Sequence, residues 1–307
     1  MHRFGILVRI RLVRHLTMVI APPMSFKLNF SPTAAFALPN HAVIRISGPD
    51  AKTFLQSQCM NDVNALAECK WQYNGWLNPQ GRVMALFYLI ERDAMDYQLI
   101  LPALPAESLI SALSRFVFRS KVSIQVDTGH WASGQLLGNA ETEHSHQKDH
   151  AAPSGIELEL PGGQYRRTLT LASSPAPANE EAFNLWHVLD MMSGWPWINA
   201  SLQGIWTPHM LSLQSLPAFS VKKGCYPGQE IVARTHFLGK NKRKLYFIQG
   251  LELSEGSPVF SAGNEIGKVV NVERHRKAGL AVLPAETLPD DMCNEAGAIR
   301  VEKPEIC

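Results

Sequence analysis

The stretch that decides the fold is YNGWLNPQGRVMALFYLI, residues 73–90, because it predicts two strands joined by a tight turn. Branched and aromatic residues dominate positions 73–77 and 83–90, which favours strands. Asn, Pro and Gly occupy the first, second and fourth positions of the connection, residues 78–81, and this order suits a type I turn. The pair therefore forms an antiparallel hairpin, and the sheet that contains it is antiparallel at this point.

The flanking segments extend the hairpin into a larger unit. Residues 41–46 (HAVIRI) alternate and predict a strand, and Ser47 follows as the expected cap of a helix with Asp50 in its first turn. A strand that follows the hairpin is predicted at 97–101. A helix is predicted over 107–119, with Phe116 directed inward, and a last strand of this unit at 122–126. The order strand, helix, three strands, helix, strand predicts an α+β fold with helices on one face of an antiparallel sheet.

The rest of the chain predicts two further units. Strands are expected at 156–160 and 165–171, followed by a helix over 180–192 that starts after Asn179. Short strands separated by Gly and Pro beyond residue 244 predict a small antiparallel barrel. The predicted boundaries are an extension at 1–24, a first subdomain at 25–127, a second at 128–240 and a C-terminal β-barrel at 241–307.

Composition narrows the class of protein. The 307 residues are 46% hydrophobic and 18% charged, with a formal charge of +2, so overall charge gives no reason to expect nucleic-acid binding. Five scattered cysteines without a Cys-x-x-Cys pair predict free thiols in a reducing compartment. No apolar run reaches the ~18 residues of a membrane span. We expect a cytoplasmic protein with no membrane partner. Residues 1–23, which carry four arginines, are interpreted as an extension or, alternatively, as a mitochondrial transit peptide.

The motif KKGCYPGQEIVART, residues 222–235, concentrates the reactive groups. Its ammonium groups at Lys222 and Lys223 favour the thiolate of Cys225 by Coulomb attraction. Glu230 and Arg234 are four residues apart, so they share a face on a helix or on a strand. The alternative is a structural turn in which the cysteine fills a small apolar gap.

Two further clusters surround this motif. The first cluster has seven cationic residues and one acid, Glu230, and it predicts attraction for phosphates or for a string of carboxylates. The alternative is a solvated hinge between domains. The cationic residues are 222, 223, 234, 240, 242, 243 and 244. Four tryptophans precede the motif and predict a site for a flat heterocycle, unless they are core; they are Trp186, Trp195, Trp197 and Trp206.

Two other chemistries are conceivable from the residues alone. Cys225 could be a hydrolase nucleophile activated by His209 or His236. The polar segment 138–155 contains three histidines that invite a metal hypothesis, but we interpret it as a solvated loop and expect no metal site; they are His144, His146 and His150.

The run 223–234, with GKNKR at 239–243 behind it, resembles the signature of the YgfZ family. These proteins are folate-binding relatives of the glycine-cleavage T-protein, with a mitochondrial counterpart that serves iron–sulfur maturation. Further resemblance lies in ISGPD (46–50), FRSKV (118–122) and GWPWI (194–198).

The resemblance implies a T-protein-like body of antiparallel sheets with helices, built as ferredoxin-like subdomains around a folate pocket, with a C-terminal barrel. It also implies tetrahydrofolate or a derivative as cofactor. The implied role is support of the assembly or repair of iron–sulfur client proteins, including enzymes that thiolate transfer RNA. Cys225 would supply a functional thiol. The implied supporting residues are Lys223, Glu230 and Arg234 around the thiol, and His41, Trp186, Lys223, Tyr226 and Gln229 for folate.

The chain also departs from the pattern of the family that it resembles. Trp186 matches one family tryptophan by its spacing to Gly194, whereas the other falls on His41, and residues 191–193 (MMS) replace a segment that often carries a glutamate. Ala85 stands where T-proteins carry the aspartate that orients aminomethyl transfer, and a methyl group cannot move a proton. Aminomethyl transfer is therefore the second function hypothesis, and direct transfer-RNA binding through 240–244 is the third.

Overall fold

The computed structural model describes residues 26–68, 70–139, 155–160, 163–239, 241–286 and 288–304. The predicted extension at 1–24 and the three histidines between 144 and 150 lie outside these ranges. Among the helices of the described ranges, none has the length and apolar character that a membrane span requires.

The secondary structure alternates between strands and short helices. In chain order the elements are β1 (Phe36–Ala37), β2 (His41–Ser47), α1 (Ala51–Gln58), a 3-10 turn (Val63–Ala65), β3 (Trp71–Leu77), β4 (Val83–Asp93), β5 (Asp96–Pro102), α2 (Ala106–Ser114), β6 (Ser123–Val126), β7 (Trp131–Asn139), β8 (Gly155–Leu160), β9 (Tyr165–Ala172), α3 (Glu180–Met192), α4 (Gln229–Leu238), β10 (Arg243–Gln249), β11 (Pro258–Ser261), β12 (Asn264–Glu273), β13 (Ala278–Pro284), β14 (Cys293–Asn294), β15 (Gly297–Ala298) and β16 (Arg300–Glu302).

The first sheet has the strand order β3-β4-β5-β2-β6 with antiparallel pairs throughout. This confirms the predicted α+β unit, including its order of strands and helices. Strand β4 separates two cores because its side chains alternate. Ala85 and Phe87 pack with α1 and α2, whereas Leu86 and Tyr88 face the core shared with the rest of the molecule.

The turn between β3 and β4 forms as predicted. The amide of Gly81 donates to the carbonyl oxygen of Asn78 at 2.9 Å, and the Asn78 side-chain oxygen accepts from the amides of Gln80 and Arg82. Asn78 thus supplies acceptors that a tight turn otherwise lacks.

Two local predictions in this unit are wrong. Ser47 is the last residue of β2 and does not cap α1; Asp50 holds the cap position, and its carboxylate accepts from the amide of Lys121 at 2.7 Å. The second helix ends at Ser114, so Phe116 is 39% exposed rather than inward. A tight turn replaces the last helical turn that the apolar spacing predicted.

The second sheet has the order β1-β7-β9-β8. Strand β1 pairs with β7, so Phe36–Ala37 joins this sheet although the sequence-based boundary assigns it to the first subdomain. Helix α3 starts where predicted, since the Asn179 side chain accepts from the amide of Ala182 at 3.1 Å. It packs on β1 and β7 and also on β12 and β13 of the third sheet.

The third sheet, of order β15-β14-β11-β12-β13-β10-β16, curls into a nearly closed barrel and confirms the predicted C-terminal barrel. Its interior is filled by residues such as Ile248, Val259 and Val269. The opposite faces of β10 and β13, including Phe247 and Leu280, belong to the large core of the body. The barrel is therefore fixed against the other sheets by apolar packing.

Candidate functional site

A cleft of about 530 Å³ opens where the ends of β2 and β5, helix α3 and the barrel approach one another. Its aromatic lining comes from Phe183 and His187 on α3 and from Trp197 just beyond the helix. Its polar lining includes Glu255 and Asn271 of the barrel. Clefts of this size, with aromatic walls and a few polar groups, are typical small-molecule sites.

The aromatic wall is a stack of two rings. The imidazole of His187 lies on the indole of Trp197 with centroids 3.9 Å apart and 13° between the planes. Phe183 is tilted against the same indole at 5.8 Å, and His41 meets it edge-on at 5.2 Å. Phe183, His187 and Trp197 thus bring three rings together at one side of the cleft.

Trp197 is held by hydrogen bonds on three sides. Its amide donates to the side-chain oxygen of Asn271, whose side-chain nitrogen donates back to the Trp197 carbonyl, both at 2.8 Å. The indole N–H donates to Asp190 at 2.8 Å. These bonds fix the orientation of the ring before any ligand arrives.

Behind this wall lies a fully buried ion pair. The Arg167 guanidinium donates to Asp190 at 2.8 Å, and the hydroxyl of Tyr88 lies 3.4 Å from the same carboxylate. Burial raises the pKa of Asp190, and the charge of Arg167 opposes that rise. The guanidinium also sits 4.6 Å above the ring of Trp186. Loss of either charge would leave the other one buried without compensation.

Two histidines beside the cleft are kept neutral. Burial lowers the pKa of His187 to about 4. Burial, with the charges of His187 and Arg167, lowers the pKa of His41 to about 3. Within the described residues, Nε2 of His187 and both ring nitrogens of His41 are buried without a hydrogen-bond partner. Such atoms are costly unless a ligand or water satisfies them.

The two residues predicted to flank a pterin lie deeper than the open cleft. Trp186 is fully buried, meets Phe36 edge-on at 6.1 Å, and packs so closely on Gly134 that a Cβ there would approach its ring to 2.9 Å. His41 is as buried as Trp197, at 5% exposure, and meets its indole edge-on. Neither is among the residues that line the cleft.

Trp197 and His187 take the positions at the open wall. Trp197 belongs to the tryptophan group that the sequence singles out, but the sequence gives no reason to rank it above Trp186. His187 was missed. The spacing of four between Phe183 and His187 is the signal that could have found it, because it places both on one face of α3.

The cysteine motif docks on the hairpin turn of the first sheet. Gly228 has φ +75° at the start of α4, and a Cβ there would lie 2.6 Å from the carbonyl oxygen of Asn78. Cys225 is exposed in the loop that precedes this helix. Gly224, by contrast, has no atom within 4 Å of a built Cβ and no positive φ, so nothing in its surroundings requires glycine.

Lys223 points into the body of the protein. Its ammonium group donates to the carbonyl oxygens of Cys59 at 2.7 Å and Asn61 at 2.9 Å, at the end of α1, where a cation is favoured. Burial lowers its pKa to about 8. It also lies 5.1 Å above the ring of Tyr226. The sequence predicted that this ammonium group favours the thiolate of Cys225, but the polar contacts described for it do not include that thiol.

Tyr226 and Gln229 complete the same loop. The hydroxyl of Tyr226 donates to the carbonyl of Ser220 at 3.1 Å, and the Gln229 side chain donates to the carbonyl of Lys223 at 2.9 Å. Both residues thereby hold the loop that presents Cys225.

The remaining motif residues lie on the surface of α4. Glu230 and Arg234 are exposed on this helix, which confirms the shared helical face, but no ion pair joins them among the described contacts. Cys225 is not among the described residues that line the cleft, so the thiol and the cleft are not brought together. His209 packs on Phe219 at 5.0 Å, and no described contact links it to Cys225.

The three-sheet arrangement is a T-protein-like fold. The crystal structure of glycine cleavage system aminomethyltransferase T from Bartonella henselae matches it with a TM-score of 0.65, covering 87% of this chain and 83% of that one at 14% identity. No protein-family model matches the chain.

Proteins of similar sequence identify the family. The tRNA-modifying protein YgfZ of Colwellia psychrerythraea is 30% identical over 263 residues, which are 80% of this chain and 79% of the relative. The tRNA-modifying protein YgfZ of Aliivibrio fischeri is 30% identical over 254 residues, 78% of this chain and 77% of that protein. The chain belongs to the YgfZ family.

Proposed function

We propose that this protein binds tetrahydrofolate or a derivative in the cleft and supports the assembly or repair of iron–sulfur enzymes, including enzymes that modify transfer RNA. The observation that carries the proposal is the His187–Trp197 stack beside buried nitrogens without partners. The names of the relatives, tRNA-modifying proteins, support the link to transfer RNA.

The residues present fit a pteridine. The volume of about 530 Å³ exceeds what one fused two-ring heterocycle needs and leaves room for the adjoining part of a folate. His187, Trp197 and Phe183 would pack against the ring, and Nε2 of His187 would exchange a hydrogen bond with one of its polar atoms. When bound, folate supplies a carrier for one-carbon units. His41 would support the wall through its edge-on contact with Trp197, and Trp186 by packing under the Arg167 guanidinium.

Cys225 would serve the client protein rather than the folate. Its thiol is exposed at the start of α4, where a partner can reach it. Lys223 acts as a positioning residue, since its bonds to the end of α1 anchor the loop. Glu230 and Arg234 would contact the partner from the exposed face of α4.

The surface of α4 favours a protein partner over RNA. Only Val232 of this helix is buried, whereas Ile231, Phe237 and Leu238 are 39%, 67% and 83% exposed. Ile231 and Leu238 offer RNA neither stacking nor hydrogen bonds, and together with Phe237 they suit the apolar centre of a protein interface. The exposed cations Arg234, Lys242 and Lys244 would complement acidic residues around that centre.

The alternatives have less support. Ala85 faces the core beneath α1 and α2, so an aminomethyl transferase would lack an acid there. Direct binding of transfer RNA would rest on cations 242–244 alone among the described residues of the 240–244 run, and it predicts binding that weakens steeply with salt. A cytoplasmic location stays a prediction.

A deletion strain tests the proposal. We expect loss of thiolated transfer-RNA bases in the deletion, restoration by the wild-type gene, and failure of restoration by His187→Ala. A matched variant at an exposed site away from the cleft, His275→Ala, should restore thiolation fully. Normal thiolation in the deletion strain would contradict the proposed role.

A further inference from the structure

The cleft contains one acid whose role the proposed function does not assign. Glu255 lies in the segment between β10 and β11, is exposed, and lines the cleft. Its carboxylate accepts a hydrogen bond from the side-chain nitrogen of Asn199 at 2.7 Å and a longer one from Asn271 at 3.4 Å. These bonds fix the carboxylate at the wall and leave acceptor capacity on both oxygens.

The carboxylate and the aromatic wall are held by the same residue. Asn271 exchanges two hydrogen bonds with the backbone of Trp197 and also lies within reach of Glu255. Asn271 is 1% exposed, so its own side chain is held in place. It therefore links Trp197 of the aromatic wall to the carboxylate that lines the same cleft.

The cleft gives this carboxylate no cationic partner. Of the lining residues that the structure describes, only His187 and Glu255 can titrate, and the lowered pKa of His187 leaves it neutral at pH 7. The negative charge is thus available to N–H donors of a ligand lying against the wall. A carboxylate accepts best from two parallel N–H groups.

We propose that Glu255 determines specificity by accepting from the amino group and the neighbouring ring N–H of a 2-amino-4-oxopyrimidine fused to a second ring. Pterins and guanine share this edge. The inference rests on the proposed function, because a pterin is the expected ligand that carries this edge. It adds that ligands without the amino group are rejected and that the acceptor comes from the barrel.

The experiment is calorimetric titration of the full chain at pH 7.5 with four ligands: tetrahydrofolate, a folate analogue with methyl in place of the 2-amino group, guanosine, and inosine. The variant is Glu255→Gln. Glu252→Gln, an exposed acid in the same segment that lies outside the cleft, is the matched control. Melting temperatures establish that both variants are folded.

We expect Glu255→Gln to weaken tetrahydrofolate about 10-fold or more, as loss of a charge-assisted pair does, and the control to leave it unchanged. The methyl analogue should bind weakly and equally to wild type and variant. Equal tetrahydrofolate affinity in wild type and Glu255→Gln would overturn the inference and leave folate binding intact.

The guanosine and inosine arms separate the two sources of the edge. Wild type could prefer guanosine over inosine, lose that preference in Glu255→Gln, and yet not bind tetrahydrofolate. This result would support recognition of the amino group by Glu255 and contradict the proposed function. Absence of binding by all four ligands would overturn both.

Discussion

The imidazole of His187 lies parallel to the indole of Trp197, with ring centroids 3.9 Å apart and 13° between their planes. The stack forms because α3 ends at Met192 and the chain then folds back, so that Trp197 covers the helix face that carries His187. Burial keeps this stacked imidazole neutral at pH 7 by lowering the pKa of His187 to about 4.

Acid should destabilise the protein through its buried histidines. The pKa values of His41 and His187 are about 3 and about 4 in the folded state, whereas a solvent-exposed histidine has a pKa of 6.5. Below pH 6.5 the unfolded chain therefore binds protons that the folded chain does not. The stability of the folded state decreases as the pH is lowered. Between pH 7 and pH 5 each histidine should cost about 2 kcal/mol of folding free energy.

Urea unfolding at pH 7 and pH 5 measures this loss. The double variant His41→Phe/His187→Phe should lose less stability between the two pH values than wild type does. The exposed His275→Gln should behave as wild type. An identical loss in wild type and double variant would show that these histidines do not carry the acid sensitivity.

The two glycines that flank Cys225 should differ in their tolerance of a methyl group. Gly228→Ala places a Cβ 2.6 Å from the Asn78 carbonyl oxygen at φ +75°, so we expect a loss of about 2 kcal/mol or more. Gly224→Ala meets no atom within 4 Å and should change stability by less than about 0.5 kcal/mol. Thermal unfolding of both variants checks the difference, and equal melting temperatures would refute the docking of the motif on the turn.

The two lysines of the motif should separate in the same way. Lys223→Met removes a cation that donates to the carbonyls of Cys59 and Asn61, and should cost about 2 kcal/mol. Lys222 is exposed, so Lys222→Met should leave the melting temperature nearly unchanged. If Lys223→Met unfolds at the wild-type temperature, the anchoring role assigned to Lys223 is wrong.

Cys225 and Cys59 test the difference between a functional and a packing thiol. Cys225→Ala should fold normally, because the residue is exposed, yet fail to restore thiolated transfer-RNA bases in a deletion strain. Cys59 is 1% exposed, and burial raises its pKa to about 12, so Cys59→Ala should lower stability without removing a reactive group. Full restoration by Cys225→Ala would reduce that residue to a surface position.

Local sequence signals predicted the elements that depend on neighbouring residues. The turn at Asn78 formed because its own side chain satisfies two nearby amides, and α3 began at its Asn179 cap. The short β1, by contrast, exists only because β7 lies beside it, and β7 itself was not predicted. A two-residue strand has no periodicity from which sequence could identify it.

The candidate site was predicted in composition more than in geometry. The tryptophan cluster indicated a surface for a flat ring, but the choice between Trp186 and Trp197 depends on the fold of residues 193–197 over α3. The direction of Lys223 could not be inferred either, since its acceptors at Cys59 and Asn61 are more than 160 residues away in sequence. Glu255 carried no signal at all, because its partners come from two other segments.

The central claim is that the cleft beside Trp197 binds folate, and calorimetric titration of tetrahydrofolate tests it most directly. We predict saturable one-to-one binding to wild type that weakens at least about 10-fold in His187→Ala. The matched Phe118→Ala, which removes an 88% exposed ring elsewhere, should bind as wild type. Absence of binding to wild type at millimolar ligand, or equal binding by His187→Ala at an unchanged melting temperature, would contradict the account.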